Sequence, residues 1–193
     1  MATEVLRAAR RQAAPWKNGG GVTSEVAAEP AGSAGSGPGD FDWRVSVAEV
    51  ADSGPFSAFD GVDRIITLVD GDGMVLTVDG VAHTVTDPYV PFAFPGGART
   101  ECALVGGPIT DFNVMVRGGA VAARVRIARE RVEVASKPGV RVLVVALAGS
   151  AVLSRSGVEL GCLDAVLLSG GDGEAAEVGI DGVLAVVTLT ELA

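Results

Sequence analysis

The sequence predicts an all-β fold of two small barrels, because short apolar runs, Asp-Gly turns and a weak internal repeat coincide along the chain. The runs are Trp43 to Val50, Arg64 to Val69, Met74 to Val78, Phe112 to Val116, Val140 to Ala148, Ala165 to Leu168 and Val183 to Leu189. Between them recur Asp60-Gly61, Asp70-Gly71, Asp72-Gly73, Asp79-Gly80, Asp172-Gly173 and Asp181-Gly182. Such pairs mark hairpin turns, since Gly accepts positive φ without penalty and Asp tolerates it. The repeat emerges when RIITLVDGDGMVLTVDG, from Arg64, is set against RVLVVALAGSAVLSRSG, from Arg141. Both read arginine, apolar strand, glycine turn, apolar strand, turn, as a duplicated small barrel would. Helical periodicity is weak throughout, and Glu4 to Ala13 is the one modest helix candidate.

A chain of 193 residues is long enough to bury a sizeable core without a disulfide or metal staple. Apolar residues make up 48% but aromatic ones only 5%, so that core must be built largely from Val, Ala and Leu. β-branched Val favours strands. Ala31 to Asp40 (AGSAGSGPGD) has no apolar anchor and is expected to be a flexible hairpin loop whose flanks pair in one sheet.

The net charge of −9 argues against nucleic acid, which needs a concentrated basic face. Arg124, Arg126, Arg129 and Arg131 alternate as the solvent face of a strand would. The longest strongly apolar stretch, Val142 to Ala148, is far short of the ~20 residues of a membrane helix. The arginines at 7, 10 and 11 interrupt the amino terminus before a secretion signal could form, so a soluble cytoplasmic protein is expected. Cys102 and Cys162 stand apart and read as buried reduced thiols.

One histidine, His83, cannot build a multi-histidine metal site, and it sits in a hairpin (DGVAHTVTD) expected to be exposed. No metal and no cofactor are expected. Gly-x-Ser-x-Gly, Gly-x-Gly-x-x-Gly and Walker motifs are all missing. Asn18-Gly19-Gly20-Gly21 looks like a phosphate loop, but Val22 to Ala27 reads as a strand and not the helix such a loop requires.

What remains is a set of polar residues inside apolar strands, all in the first 115 residues. Arg44, Ser46 and Glu49 lie in WRVSVAEV, Arg64 opens RIITLV, and Asp111 and Asn113 flank Phe112. Lys17, Asn18, Thr23 and Glu25 belong to the opening WKNGGGVTSE. Strand alternation puts Arg44, Ser46 and Ala48 on one face and Glu49 on the other. A charge facing a barrel interior must be paired or met by ligand. Two alternatives follow: Arg44 or Arg64 bridges Glu49, Glu25 or Asp111 as a structural ion pair, or one arginine is left to receive a small carboxylate, with Arg44 the first choice, Arg64 the second and Asn113 a neutral donor beside it.

At these residues the chain resembles the HutD/Ves family of bicupin-like proteins associated with bacterial histidine utilisation. The matching blocks are Pro15-Trp16-Lys17-Asn18-Gly19-Gly20-Gly21 with Thr23 and Glu25, then WRVSVAEV with Gly54-Pro55-Phe56-Ser57, and FDGVDRIITLVDGDGMVLTVDG. Pro91-Phe92-Ala93-Phe94-Pro95-Gly96 and Gly107-Pro108 with Asp111-Phe112-Asn113-Val114-Met115 complete them, whereas the half after Gly118 matches only in length and strand character. The resemblance implies two packed cupin-like (double-stranded β-helix) barrels, residues 1–117 and 118–193, with strands open to exchange between them. It further implies a metal-free pocket in the first barrel, drawn from Arg44, Arg64, Asn113, Ser46, Glu49, Asn18, Thr23 and Glu25. The implied ligand is a small acid of the formate, urocanate or formylglutamate type, and the implied role is regulatory and not enzymatic. A metal-independent isomerase or hydrolase using Glu49, Glu25 or Asp111 as base stands as the alternative, and a structural protein with a vestigial pocket as a third. Two barrels can bury their sheet edges between them, so a monomer is feasible, while an exposed edge could pair symmetrically in a homodimer.

Overall fold

A computed structural model describes residues 2–30, 41–171, 173–179 and 181–192. In chain order the strands begin with β1 (Ala2–Leu6), β2 (Ala13–Pro15), β3 (Gly21–Glu29), β4 (Trp43–Val50), β5 (Gly54–Pro55) and β6 (Val62–Asp70). They continue through β7 (Met74–Val78), β8 (Val81–Val85), β9 (Phe92–Pro95), β10 (Thr100–Leu104), β11 (Ile109–Arg117), β12 (Val121–Ala128) and β13 (Val132–Ala135). The last are β14 (Val140–Ala148), β15 (Ala151–Leu153), β16 (Glu159–Leu160), β17 (Ala165–Ser169), β18 (Gly173–Val178) and β19 (Val183–Glu191). The fold is thus nearly all β, as the runs and turns predict. The helix candidate Glu4 to Ala13 is not a helix: β1 occupies its start and a 3₁₀ turn, Ala8–Arg10, follows.

The chain forms two compact units, one of Gln12–Ala120 and one joining the segment up to Arg11 to the chain from Val121. In the first, a sheet of order β2-β3-β4-β11-β6-β9 faces a smaller one of order β5-β10-β7-β8. Ala48, Val50, Ile66, Leu68 and Phe94 of the larger sheet pack with Met74, Leu76, Val78, Val85 and Cys102 of the smaller to fill the barrel. The second unit pairs β1-β17-β14-β19-β12 with β13-β18-β15-β16, around Val142, Val144, Leu153, Leu160, Val166, Leu168 and Val186. Its composition thus differs from the expected division at the amino terminus, because β1 pairs with β17 from Ala2 opposite Ser169 to Leu6 opposite Ala165.

Turn chemistry fixes the hairpins. Asp79 and Gly80 take φ of 47° and 85° between β7 and β8, the pair of left-handed residues a tight two-residue hairpin needs. β3 and β4 pair antiparallel across the expected Ala31 to Asp40 loop, which itself lies outside the described residues. Both faces of β14 are buried, which explains why Val140 to Ala148 lacks apolar and polar alternation. Arg124, Arg126, Arg129 and Arg131 are all exposed, the first two on the edge strand β12.

Two expectations need correction. Cys102 is buried, but Cys162 is exposed in the turn before β17. His83, on the edge strand β8, is half-buried against Phe92 with ring centroids 4.9 Å apart, since Phe92 reaches it from β9 of the other sheet. Among the described residues, no helix is long and apolar enough to cross a membrane.

Candidate functional site

The polar residues fall on three successive cross-strand rungs of the larger sheet in the Gln12–Ala120 unit. The first rung runs Ala28, Arg44, Met115, Arg64, Phe94, and the second Glu25, Ser46, Asn113, Ile66, Phe92. Thr23, Ala48, Asp111 and Leu68 make the third. Because Ala48, Ile66, Leu68 and Phe94 belong to the barrel core, this whole face points inward. Arg44 and Arg64 flank Met115 on either side of β11, so their backbones lie on the order of 10 Å apart on one face.

Arg64 is 7% exposed. Its guanidinium carbon lies 5.4, 5.7 and 4.9 Å from the ring centroids of Phe56, Phe59 and Phe94, so the cation is held among aromatic rings. One terminal nitrogen donates to Asn113 Oδ1 at 3.0 Å, and Asn113 Nδ2 donates in turn to Asp111 Oδ1. The amide thus sits between cation and carboxyl as a relay. Arg64 Nε and Asp111 Oδ2 are buried with no hydrogen-bond partner. Arg44 Nε lies 3.5 Å from Glu25 Oε2, with the two side chains only 11% and 15% exposed. A bulge between Glu25 and Ala27 brings Glu25 opposite Ser46, diagonal to Arg44.

Burial dominates the electrostatics. It raises the Asp111 carboxyl to about 7, against the opposing pull of Arg64 and of the Asn113 hydrogen bond. It lowers Arg64 to about 10, Asp111 opposing and Arg44 adding to the shift, so Arg64 stays charged at neutral pH. Burial also lowers Arg44 against the pull of Glu25. Cys102, across the barrel, is pushed up to about 12 by burial and by Asp111.

Arg44, Arg64, Ser46, Asn113, Glu25 and Thr23 therefore share one inward face. Thr23 Oγ1 accepts a hydrogen bond from Trp16 Nε1 at 2.7 Å, and Trp16 meets Phe56 edge-on with centroids 6.0 Å apart, so its role is to hold the aromatic wall. Glu49 and Asn18 are not brought to the site. Glu49 is exposed on the opposite face of β4, where strand parity puts it, and Asn18 Oδ1 accepts the Gly20 amide at 3.1 Å within an exposed turn. Phe56, Phe59 and Phe94 were not among the expected site residues. Only the resemblance blocks carried a signal for them: Phe56 lies in Gly54-Pro55-Phe56-Ser57, Phe59 opens FDGVDRIITLVDGDGMVLTVDG, and Phe94 lies in Pro91 to Gly96.

Two surface hollows, of about 490 and 410 Å³, lie elsewhere, the first lined by residues such as Arg131, Glu133 and Arg155 and the second by Gly61, Asp63 and Asp79. No group of three or more His, Cys, Asp or Glu side chains able to hold a metal occurs among the described residues.

Two-sheet barrels with charged side chains on an inner face define the class: this is a cupin-like β-barrel protein. A cupin 2 conserved barrel domain protein of Leptotrichia buccalis superposes with a TM-score of 0.58 over 88% of each chain at 9% identity, a likeness of fold alone. The chain belongs to the HutD family, whose model matches residues 8–186. HutD from Pseudomonas fluorescens SBW25, solved in a formate condition, superposes over the whole of both chains with a TM-score of 0.85 and 34% identity. A 21.2 kDa Pseudomonas putida protein of the hutC 3′ region is 45% identical over 112 residues, 58% of this chain and 57% of that protein. Protein Ves of Citrobacter koseri is 37% identical over 115 residues, again 58% and 57% of the two chains. The aligned part of the chain spans just over half the length of these curated relatives.

Proposed function

We propose that the chain is a HutD-type regulatory protein of histidine utilisation that binds a small carboxylic acid on the Arg44–Arg64 face of the Gln12–Ala120 unit. The observation that carries this is the buried Arg64 guanidinium, held among phenyl rings, with its Nε unpartnered and a terminal nitrogen donating to Asn113. A guanidinium meets a carboxylate with paired hydrogen bonds that an ammonium cannot reproduce. Arg44 and Glu25 retain slight solvent exposure at the first rungs, which supports entry from that side. The formate condition of the P. fluorescens HutD structure and the hutC-region origin of the P. putida relative support the ligand class and the pathway.

Calorimetric titration with formate, urocanate and N-formylglutamate tests the proposal. At least one acid is expected to bind, and Arg44→Lys is expected to weaken it at least roughly tenfold, since charge-assisted hydrogen bonds contribute about 1.5–3 kcal/mol. Unchanged binding in both Arg44→Lys and Arg64→Lys would end it. A second reading, a metal-independent enzyme, is favoured by Asp111, whose carboxyl titrates near 7 as a general acid–base must. Saturable turnover of any of these acids, lost in Asp111→Asn, would establish that reading instead.

A further inference from the structure

We infer that Asp111 is the proton-accepting member of this site, so that an entering carboxylate is bound together with one proton taken from solvent onto Asp111. The inference rests on the proposed carboxylate site and adds how that site keeps its charge in balance.

The inward face carries two cations, Arg44 and Arg64, and two carboxyls, Glu25 and Asp111. With all four ionised it is balanced, and an added anion leaves one negative charge in surplus inside a barrel, where charge is poorly solvated. The arginines cannot relieve it. Glu25 has the Arg44 cation 3.5 Å away and, at 15% side-chain exposure, keeps some contact with water. Asp111 differs on both counts: it is 1% exposed, Asn113 separates it from Arg64, and its Oδ2 is buried without a partner. A carboxyl so placed is the group on this face least able to hold its charge when another anion arrives.

The groups facing Asp111 support the assignment. Arg64 and Leu68 face it from β6, Ala48 and Ser46 from β4, Thr23 and Glu25 from β3, and Asn113 from its own strand. From β10 comes Cys102, a thiol that stays neutral and contacts Met74 Sδ at 3.7 Å. Arg64 alone among the titratable neighbours favours the charged carboxyl, and burial outweighs it.

The balance is simple. Ligand carboxylate, the ionised Asp111 carboxyl and one proton from buffer give a complex holding ligand carboxylate and the neutral Asp111 acid. No proton leaves the ligand, and no covalent bond within it changes. Affinity should then fall as pH rises above about 7, because the proton must be drawn from an increasingly dilute pool.

The test is isothermal calorimetry of the whole chain with formate and N-formylglutamate, whose carboxylates do not titrate near neutrality, in MOPS and in Tris. At pH 8 the apparent binding enthalpy of the wild type should differ between buffers by an amount corresponding to nearly one proton taken up, and at pH 6 by much less. Asp111→Asn should bind with no buffer dependence and with affinity flat across that range. Wild-type binding without buffer dependence at pH 8 would overturn the inference while leaving the carboxylate site intact, as would proton uptake persisting in Asp111→Asn. Loss of binding in an Asp111→Asn protein with a native circular dichroism spectrum would also overturn it, since Asp111 would then be a direct contact. Should that variant fail to fold, the wild-type buffer comparison alone decides. Absence of binding by either acid at any pH would remove the carboxylate site itself, and the inference with it.

Discussion

Arg64 keeps its charge inside a barrel with Phe56, Phe59 and Phe94 around its guanidinium and one terminal nitrogen donating to Asn113. The arrangement is stabilising only while the Asn113 relay is intact. Asn113→Ala would leave both Arg64 and Asp111 without their shared buried partner, and a loss of about 2–3 kcal/mol is expected in urea unfolding. Asp111 imposes a pH dependence of its own. Its folded carboxyl holds a proton up to about 7, whereas an unfolded Asp releases it near 4, so the folded state binds more protons between those values. Stability from this residue is therefore fully present below about pH 4 and is lost as pH rises through about 7. Asp111→Asn should flatten this decline. Comparing urea midpoints of wild type and variant at pH 5 and pH 8 checks it, and a variant that loses more stability at pH 8 than at pH 5, relative to wild type, contradicts the placement of the proton.

Among the elements, the segment from Arg7 to Arg11 is held by the turn before β17. Asp164 accepts Arg7 Nη1 at 2.7 Å, the Ala8 amide at 2.8 Å and the Gly161 amide at 3.2 Å, while Arg11 donates to the Leu163 carbonyl at 2.5 Å. These bonds outweigh burial and hold the Asp164 carboxyl below its ordinary value. Its contribution runs opposite to that of Asp111, present at neutral pH and lost as pH falls through the depressed folded value. Asp164→Ala should cost about 1–3 kcal/mol. Hydrogen exchange should show protection lost first in β1, and unchanged β1 protection would disprove the clamp. The hairpin of β2 and β3 makes a different demand. A Cβ on Gly21 would lie 2.5 Å from the Glu49 carbonyl oxygen and 3.3 Å from the Trp16 ring. Gly21→Ala should therefore disturb both the β3–β4 pairing and the Trp16–Phe56 wall, giving a clear loss of stability and a shifted Trp fluorescence maximum. A variant with native stability and spectrum would show that the strands can separate there without strain.

For the molecule as a whole, the exchange of β1 makes the two units unequal in sequence terms. Removing the first eleven residues should loosen β17 and its neighbours in the unit from Val121 while leaving the Arg44–Arg64 face protected, and exchange mass spectrometry would reveal the converse at once. The strands Trp43–Val50, Met74–Val78 and Val140–Ala148 are legible in the sequence because local apolar runs and flanking Gly turns fix them. So is the side of β4 on which Arg44 and Glu49 fall, since strand parity is local. Other features are not legible locally. The repeat sets Arg64 beside Arg141, yet Arg64 faces into its barrel and Arg141 lies on the opposite face from the core residues Val140, Val142 and Val144, bonded to Glu191 at 2.8 Å. A one-residue slip in register reverses the face of every side chain, and register is decided by pairing with distant strands. The same holds for the partner of Arg44, chosen by the bulge at Glu25, and for the phenyl rings that close on Arg64 from two separate stretches of chain, the β5–β6 connection and β9. The sequence by itself determined the all-β class, the strands and turns, and the polar residues that do not belong in a core. Only the tertiary structure decided which of those residues meet, because long-range strand pairing, and not local preference, sets which charges are buried together.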